Sequence, residues 1–148
     1  MNRKSDLIIG MAFLGVLGVS CLYVLGGNEN SPESYSFSSN WVWNDYDRVM
    51  QQAQEENKYV IIDFWAVWCD ECKKMDRVAF RDPEVCRLLG RCVLLKVDVD
   101  VIPELKSQFR VMGMPTVVIV SPEGDEVSRA VGYQTTEQIK RLLMEVLE

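Results

Sequence analysis

Hydrophobic positions along this chain change their spacing several times, and each change marks an element. Leu7 to Leu25 is apolar without a single charge. From Trp43 to Asn57 the apolar residues Tyr46, Val49, Met50 and Ala53 recur at helical spacing, which predicts a helix. Tyr59 to Ala66 is apolar at nearly every position, the pattern of a central strand covered on both faces. Asp70 to Ala79 returns to helical spacing. Asp82-Pro83 supplies an N-cap and a first-turn proline for a second short helix ending at Leu89. Cys92 to Val99 reads as another buried strand, Pro103 to Phe109 as a helix and Thr116 to Ser121 as a strand. Pro122-Glu123-Gly124-Asp125 is a turn. Glu126 to Gly132 is an edge-type strand, and Thr135 to Leu147 is a closing amphipathic helix buried along Ile139, Leu142, Leu143 and Val146. Strands alternating with helices, then a hairpin and a last helix, predict an α/β domain with a mixed central sheet flanked by helices.

The N-terminal apolar stretch is long enough for the about 20 residues that cross a bilayer core. Arg3 and Lys4 precede it, and Glu29 and Glu33 follow it. The positive-inside bias therefore places residues 1–6 in the cytoplasm, residues 7–27 in the membrane as a transmembrane anchor, and the rest outside. Two alternatives stay open. Lipidation at Cys21 would replace the anchor, although Gly18-Val19-Ser20-Cys21 fits that pattern poorly and Leu22 to Leu25 continues apolar beyond it. Cleavage as a signal peptide would want an Ala-x-Ala-like site, and none is visible. Residues 28–40 are rich in Ser, Asn and Glu and read as a flexible linker. Residues 41–148 form the folded domain.

Composition narrows the chemistry. The chain has 148 residues, 48% hydrophobic and 26% charged, which suits a globular domain. A net charge of −6 argues against nucleic acid as a partner. There is no histidine, so Ser-His-Asp triads, Cys-His pairs and histidine-ligated haem or zinc are excluded. What remains prominent is Trp68-Cys69-Asp70-Glu71-Cys72-Lys73, directly after the buried strand. Two cysteines at this spacing, at a strand-to-helix junction, can form and break a disulfide. The first would lie at the helix N-terminus, where free N–H groups and the macrodipole favour its thiolate. A structural zinc site would want a second such pair or histidines, and the chain has neither. No metal and no cofactor is expected.

Several motifs, in order, resemble the thioredoxin superfamily. Asp63-Phe64-Trp65-Ala66-Val67-Trp68-Cys69-x-x-Cys72-Lys73 is similar to its active-site strand and helix, and Gly113-Met114-Pro115-Thr116 to its cis-proline loop. Lys96 and Asp98 resemble its central strand, and Val131-Gly132 the glycine near its last strand. Cys72-Lys73-Lys74-Met75, followed by Ala79-Phe80-Arg81-Asp82-Pro83-Glu84-Val85, is similar to the C-terminal domain of the thiol:disulfide interchange protein DsbD. Asp70-Glu71 departs from the Gly-Pro of thioredoxin.

The resemblance implies a thioredoxin-like fold and a protein-disulfide reductase. Cys69 would attack a substrate disulfide, and Cys72 would resolve the mixed disulfide. Asp63, raised in pKa by burial, would accept the Cys72 proton, and Lys96 could modulate Asp63. Trp68, Met114 and Pro115 would contact the substrate, an extended segment added as a strand. Asp70 and Glu71 oppose thiolate formation at Cys69 and so favour a reducing couple, below about −200 mV. The implied partners are oxidised protein disulfides as substrate and a membrane thiol reductase as electron donor. The implied location is a bacterial inner membrane, with the catalytic domain periplasmic or extracytoplasmic. A reductase dedicated to cytochrome c maturation, a Cu(I) carrier built on Cys69, Cys72 and Met75, and a non-catalytic interaction module are the competing readings. Cys86 and Cys92 read as small core residues or as a second disulfide.

Overall fold

The structure, a computed structural model, describes residues 40–148. The expected anchor at residues 7–27, the lipidation alternative at Cys21 and nearly all of the linker lie outside the described residues. Among the described residues, no helix is long and apolar enough to cross a membrane.

One five-stranded sheet organises the domain. Its strands are β1 (Trp41–Trp43), β2 (Val60–Trp65), β3 (Val93–Asp98), β4 (Thr116–Val120) and β5 (Glu126–Val131), in the spatial order β1-β3-β2-β4-β5. β1, β3 and β2 run parallel, and β4 and β5 are added antiparallel. The helices are α1 (Tyr46–Glu56), α2 (Asp70–Arg77), α3 (Pro83–Leu89), α4 (Pro103–Gln108) and α5 (Thr136–Leu147), with a 3-10 turn at Ala79–Arg81. β2 and β3 are buried at every position but the last, and β4 throughout, which is why their sequences are apolar nearly throughout, Asp63 and Lys96 being the buried exceptions. One face of the sheet packs Ile62, Phe64, Leu95 and Val97 with Val49, Ala53 and Phe109. The other packs Ile61 and Ile119 with Met75, Phe80, Leu88 and Leu143.

Two boundaries differ from expectation by more than one residue. Trp43 belongs not to the first helix but to β1, whose three residues pair with Leu94, Leu95 and Lys96. Asn44 then turns the chain at a φ of 57°, a left-handed conformation that asparagine tolerates. Asp45 caps α1 by accepting the Arg48 N–H at 3.1 Å. The helix expected to reach Ala79 ends at Arg77, and Ala79 and Phe80 continue as the 3-10 turn.

Strand register gathers the functional loops. Trp65 pairs with Asp98, Phe64 with Thr116, and Thr116 with Val131. The segments after β2, after β3, before β4 and after β5 therefore emerge at one end of the sheet. That end carries residues 66–69, 99–102, 112–115 and 132–135.

Candidate active site

Strand β2 delivers Cys69 to the N-cap of α2, and Cys72 follows one turn in. The two are joined by a disulfide with their Cα atoms 5.3 Å apart. The Cys72 backbone N–H donates to Cys69 Sγ at 3.2 Å, so the first turn offers this sulfur an N–H as well as the positive end of the helix dipole. Cys69 retains a sliver of exposed surface, whereas Cys72 is fully buried. Asp70 and Glu71 occupy the first turn of α2. The Asp70 side chain is 95% exposed, with Lys73 Nζ at 3.5 Å.

The rim around the disulfide comes from neighbouring loops. Trp68 is 60% exposed, and its indole N–H donates to Asp100 Oδ2 at 2.7 Å. The Met114–Pro115 peptide is cis. The Pro115 carbonyl accepts from the Gly132 N–H at 2.8 Å, and the Thr116 hydroxyl donates to the Gly113 carbonyl at 2.7 Å. Met114 packs against the hydrophobic cluster that holds both cysteines.

Beneath α2 lies a buried charge group. Asp63 is fully buried on β2, opposite Lys96 on β3, with Lys96 Nζ 3.2 Å from its Oδ2. Neither Asp63 carboxylate oxygen has a hydrogen bond of good geometry. The hydrogen bond from Lys96 goes instead to Asp76 of α2, whose side chain is 31% exposed. Lys96 sits among aromatic rings, with Trp41, Trp43, Trp65 and Phe80 centroids at 5.3, 5.6, 6.0 and 6.0 Å. Burial pushes the Asp63 carboxyl up to about 6; Lys96 opposes the rise and Asp76 adds to it.

Lys96 is buried rather than solvated. β3 is an interior strand, and its lysine is enclosed between two carboxylates. Asp76 and the aromatic cage were not expected. The available signal for Asp76 was its place four residues after Cys72, on the same helical face as the buried thiol.

The other two described cysteines are not bonded to each other. Cys86 and Cys92 are free thiols, not a second disulfide. Burial pushes both up, Cys92 to about 11. Met75 packs in the opposite hydrophobic cluster from Cys69 and Cys72, away from a shared ligand set. Among the described residues no three His, Cys, Asp or Glu side chains come together as a metal site.

Comparison with known proteins agrees with this geometry. The thioredoxin family matches residues 41–145. A thioredoxin of Alicyclobacillus acidocaldarius is 36% identical over 102 residues, covering 69% of this chain and 94% of that protein. The thiol:disulfide interchange protein DsbD of Campylobacter jejuni is 30% identical over 149 residues, covering 93% of this chain but 26% of DsbD. The chain thus spans about a quarter of that relative's length. Among solved structures, a Thermus thermophilus thioredoxin superposes with a TM-score of 0.65 at 32% identity, covering 73% of this chain and 88% of that one. The reduced C-terminal domain of Neisseria meningitidis DsbD gives 0.59 at 26% identity, with coverage of 66% and 90%. This chain sets a cysteine pair at a helix mouth, a buried acid on the strand before it and a cis-proline loop at the same sheet end, and with the family match over residues 41–145 it belongs to the thioredoxin family as a thiol-disulfide oxidoreductase.

Proposed function

We propose that this chain is a membrane-tethered protein-disulfide reductase whose catalytic domain faces the extracytoplasmic space. The observation that carries the reading is the Cys69–Cys72 disulfide at the mouth of α2, with the buried Asp63 tied through Lys96 to Asp76 of the same helix. In the reduced protein the Cys69 thiolate attacks one sulfur of a client disulfide and expels the other as a thiolate. Cys72 gives its proton to Asp63 and attacks Cys69 Sγ. The client leaves as a second thiolate. Two electrons have then passed from the dithiol to the client, and the Cys69–Cys72 bond has formed. An acid with a pKa near 6 suits this role, because it is ionised at neutral pH yet holds a proton readily.

Trp68, Met114 and Pro115 frame the groove in which an extended client segment adds as a strand. Asp70 and Glu71 disfavour the Cys69 thiolate and keep the couple reducing, below about −200 mV. A membrane thiol reductase restores the dithiol by the reverse exchange. The tether is supported by the uncharged run from Leu7 to Leu25. It is also supported by the likeness to DsbD, whose 93% coverage of this chain exceeds the described domain and so reaches into that run.

The test uses the full chain carrying Cys72→Ser. It should accumulate mixed disulfides through Cys69 that dithiothreitol releases, while a Cys69→Ser chain should accumulate none. A membrane-impermeant thiol reagent should label Cys69 of the reduced protein in intact cells. Absence of releasable adducts, together with failure of the unaltered protein to catalyse insulin reduction by dithiothreitol, would overturn the enzymatic reading. Protection of Cys69 until the cells are lysed would overturn the topology.

A further inference from the structure

We propose that this site selects client disulfides flanked by lysine or arginine. The inference rests on the reductase reading above and concerns which disulfides reach it. The sheet end that bears Cys69 also exposes an apolar collar: Val67, Trp68, Val101 and Met112, the last 92% exposed. Such a collar suits a polypeptide rather than a small thiol. It is bordered by carboxylates. Asp70 and Glu71 lie within one turn of the attacking sulfur, and Asp100 is fixed against the collar by the Trp68 indole. Glu104 stands exposed at the start of α4.

The two lysines of α2 answer them only in part. Lys73 reaches only Asp70, at 3.5 Å, and Lys74 lies over the Tyr133 ring at 4.5 Å. Among the described residues no lysine or arginine forms an ion pair with Glu71, Asp100 or Glu104. Acid in the first turn of a helix is common because it complements the dipole, and that explains Asp70 and Glu71 by themselves. It does not explain Asp100, which is held on the rim of the apolar surface by a hydrogen bond from another loop. A basic client segment would find its charge matched while its apolar residues cover the collar. An acidic one would meet like charge as it desolvates the same surface. Rim charges of this kind act on encounter and on partner choice, and salt screens them with a Debye length of about 10 Å at 0.1 M.

The experiment follows single-turnover oxidation of the reduced full-length protein in detergent. Three disulfides are compared: two peptides of one sequence, with lysine or glutamate flanking the cystine, and hydroxyethyl disulfide as an uncharged reference. At 50 mM salt the lysine peptide should react about 10-fold faster than the glutamate peptide, a modest share of the steering that charge provides. At 0.5 M salt the ratio should fall toward one. In a Glu71→Gln, Glu104→Gln variant the low-salt ratio should also fall, with the hydroxyethyl disulfide rate correcting for any change at the sulfur. Equal rates for the two peptides at low salt, or a preference that salt does not alter, would overturn the proposal while leaving the reductase reading standing. Failure to react with all three disulfides would overturn both.

Discussion

Replacing Asp63 with asparagine should make the domain more stable at neutral pH and less active. Asp63 is fully buried, and its carboxyl is pushed from 3.8 up to about 6, chiefly by desolvation. A group whose folded pKa lies above its unfolded value contributes its stability below the unfolded pKa and loses it as pH rises through the folded one. Here that window runs from 3.8 to about 6. A shift of about two units at 1.36 kcal/mol each amounts to about 3 kcal/mol, an order-of-magnitude figure because the carboxylate is coupled to Lys96 and Asp76. The unaltered protein should therefore lose about 3 kcal/mol relative to Asp63→Asn between acid and neutral pH. Asparagine keeps the shape of the side chain and leaves Lys96 its hydrogen bond to Asp76. Urea unfolding followed by tryptophan fluorescence measures the difference on oxidised samples of both proteins at pH 4 and pH 7.5. With a urea dependence of about 1–3 kcal/mol per molar, the variant's midpoint should lie about 1–3 M higher at pH 7.5 and much closer to the parent's at pH 4. Contributions from carboxylates remote from Asp63 are common to the two proteins and cancel. A midpoint difference that stays the same at both pH values would refute the claim that Asp63 is held ionised at a cost in the folded state.

Lys96→Met removes the cation that holds the Asp63 pKa down, so that pKa should rise above about 6 and the acidic limb of the activity profile should move to higher pH. Stability at pH 7 should fall by about 3–5 kcal/mol, the usual loss when a buried pair is broken, and by less at pH 5, where Asp63 is protonated; identical pH profiles for variant and parent would contradict this. With the Cys92 thiol at about 11, only about one molecule in 10³ carries its thiolate at pH 8. Iodoacetamide with mass spectrometry on the reduced protein should then label Cys69 well before Cys92, and equal rates would be evidence against the buried placement. Thr135 and Gln138 cap α5 reciprocally, at 2.8 and 3.3 Å. Thr135→Ala should cost about 1 kcal/mol, read as a lower melting temperature, with insulin reduction unchanged.

The core strands were legible because a strand buried on both faces must be apolar at every position, and Val60–Trp65, Val93–Asp98 and Thr116–Val120 nearly are. The cysteine pair and the proline loop were legible because their residue types are tied to one chemistry. β1 was not. Three residues carry no periodicity, and Trp43 lies three positions before Tyr46, so the helical pattern runs back through it and conceals the strand. Asp76 was hidden for a similar reason, since an acid on an amphipathic helix reads as its solvent face. Lys96 was ambiguous because a lysine in an apolar strand can carry its ammonium out to solvent. Only the pairing of β3 with both β1 and β2 puts that lysine beneath α2.

These three charges are best understood together, because no one of them sets the state of the base. Desolvation alone would drive Asp63 to stay protonated, and an acid that never ionises cannot take a proton from Cys72. Lys96 alone would pull it the other way, toward a carboxylate too weak a base to help. Asp76 shares the lysine, adds its own negative charge and restores part of the rise. The aromatic rings of Trp41, Trp43, Trp65 and Phe80 hold the ammonium where it serves both acids, and two of those rings come from the short edge strand β1. The domain therefore keeps an arrangement that lowers its stability at neutral pH, and the proposed proton transfer is what that arrangement makes possible. Substitution in β1 should then alter the pH dependence of exchange without touching a sulfur. Trp43→Ala tests this, because its ring lies 5.6 Å from the Lys96 ammonium and on an exposed edge. A shifted pH profile with the insulin-reducing dithiol intact supports the balance, and an unmoved profile would show that the cage does not tune the base.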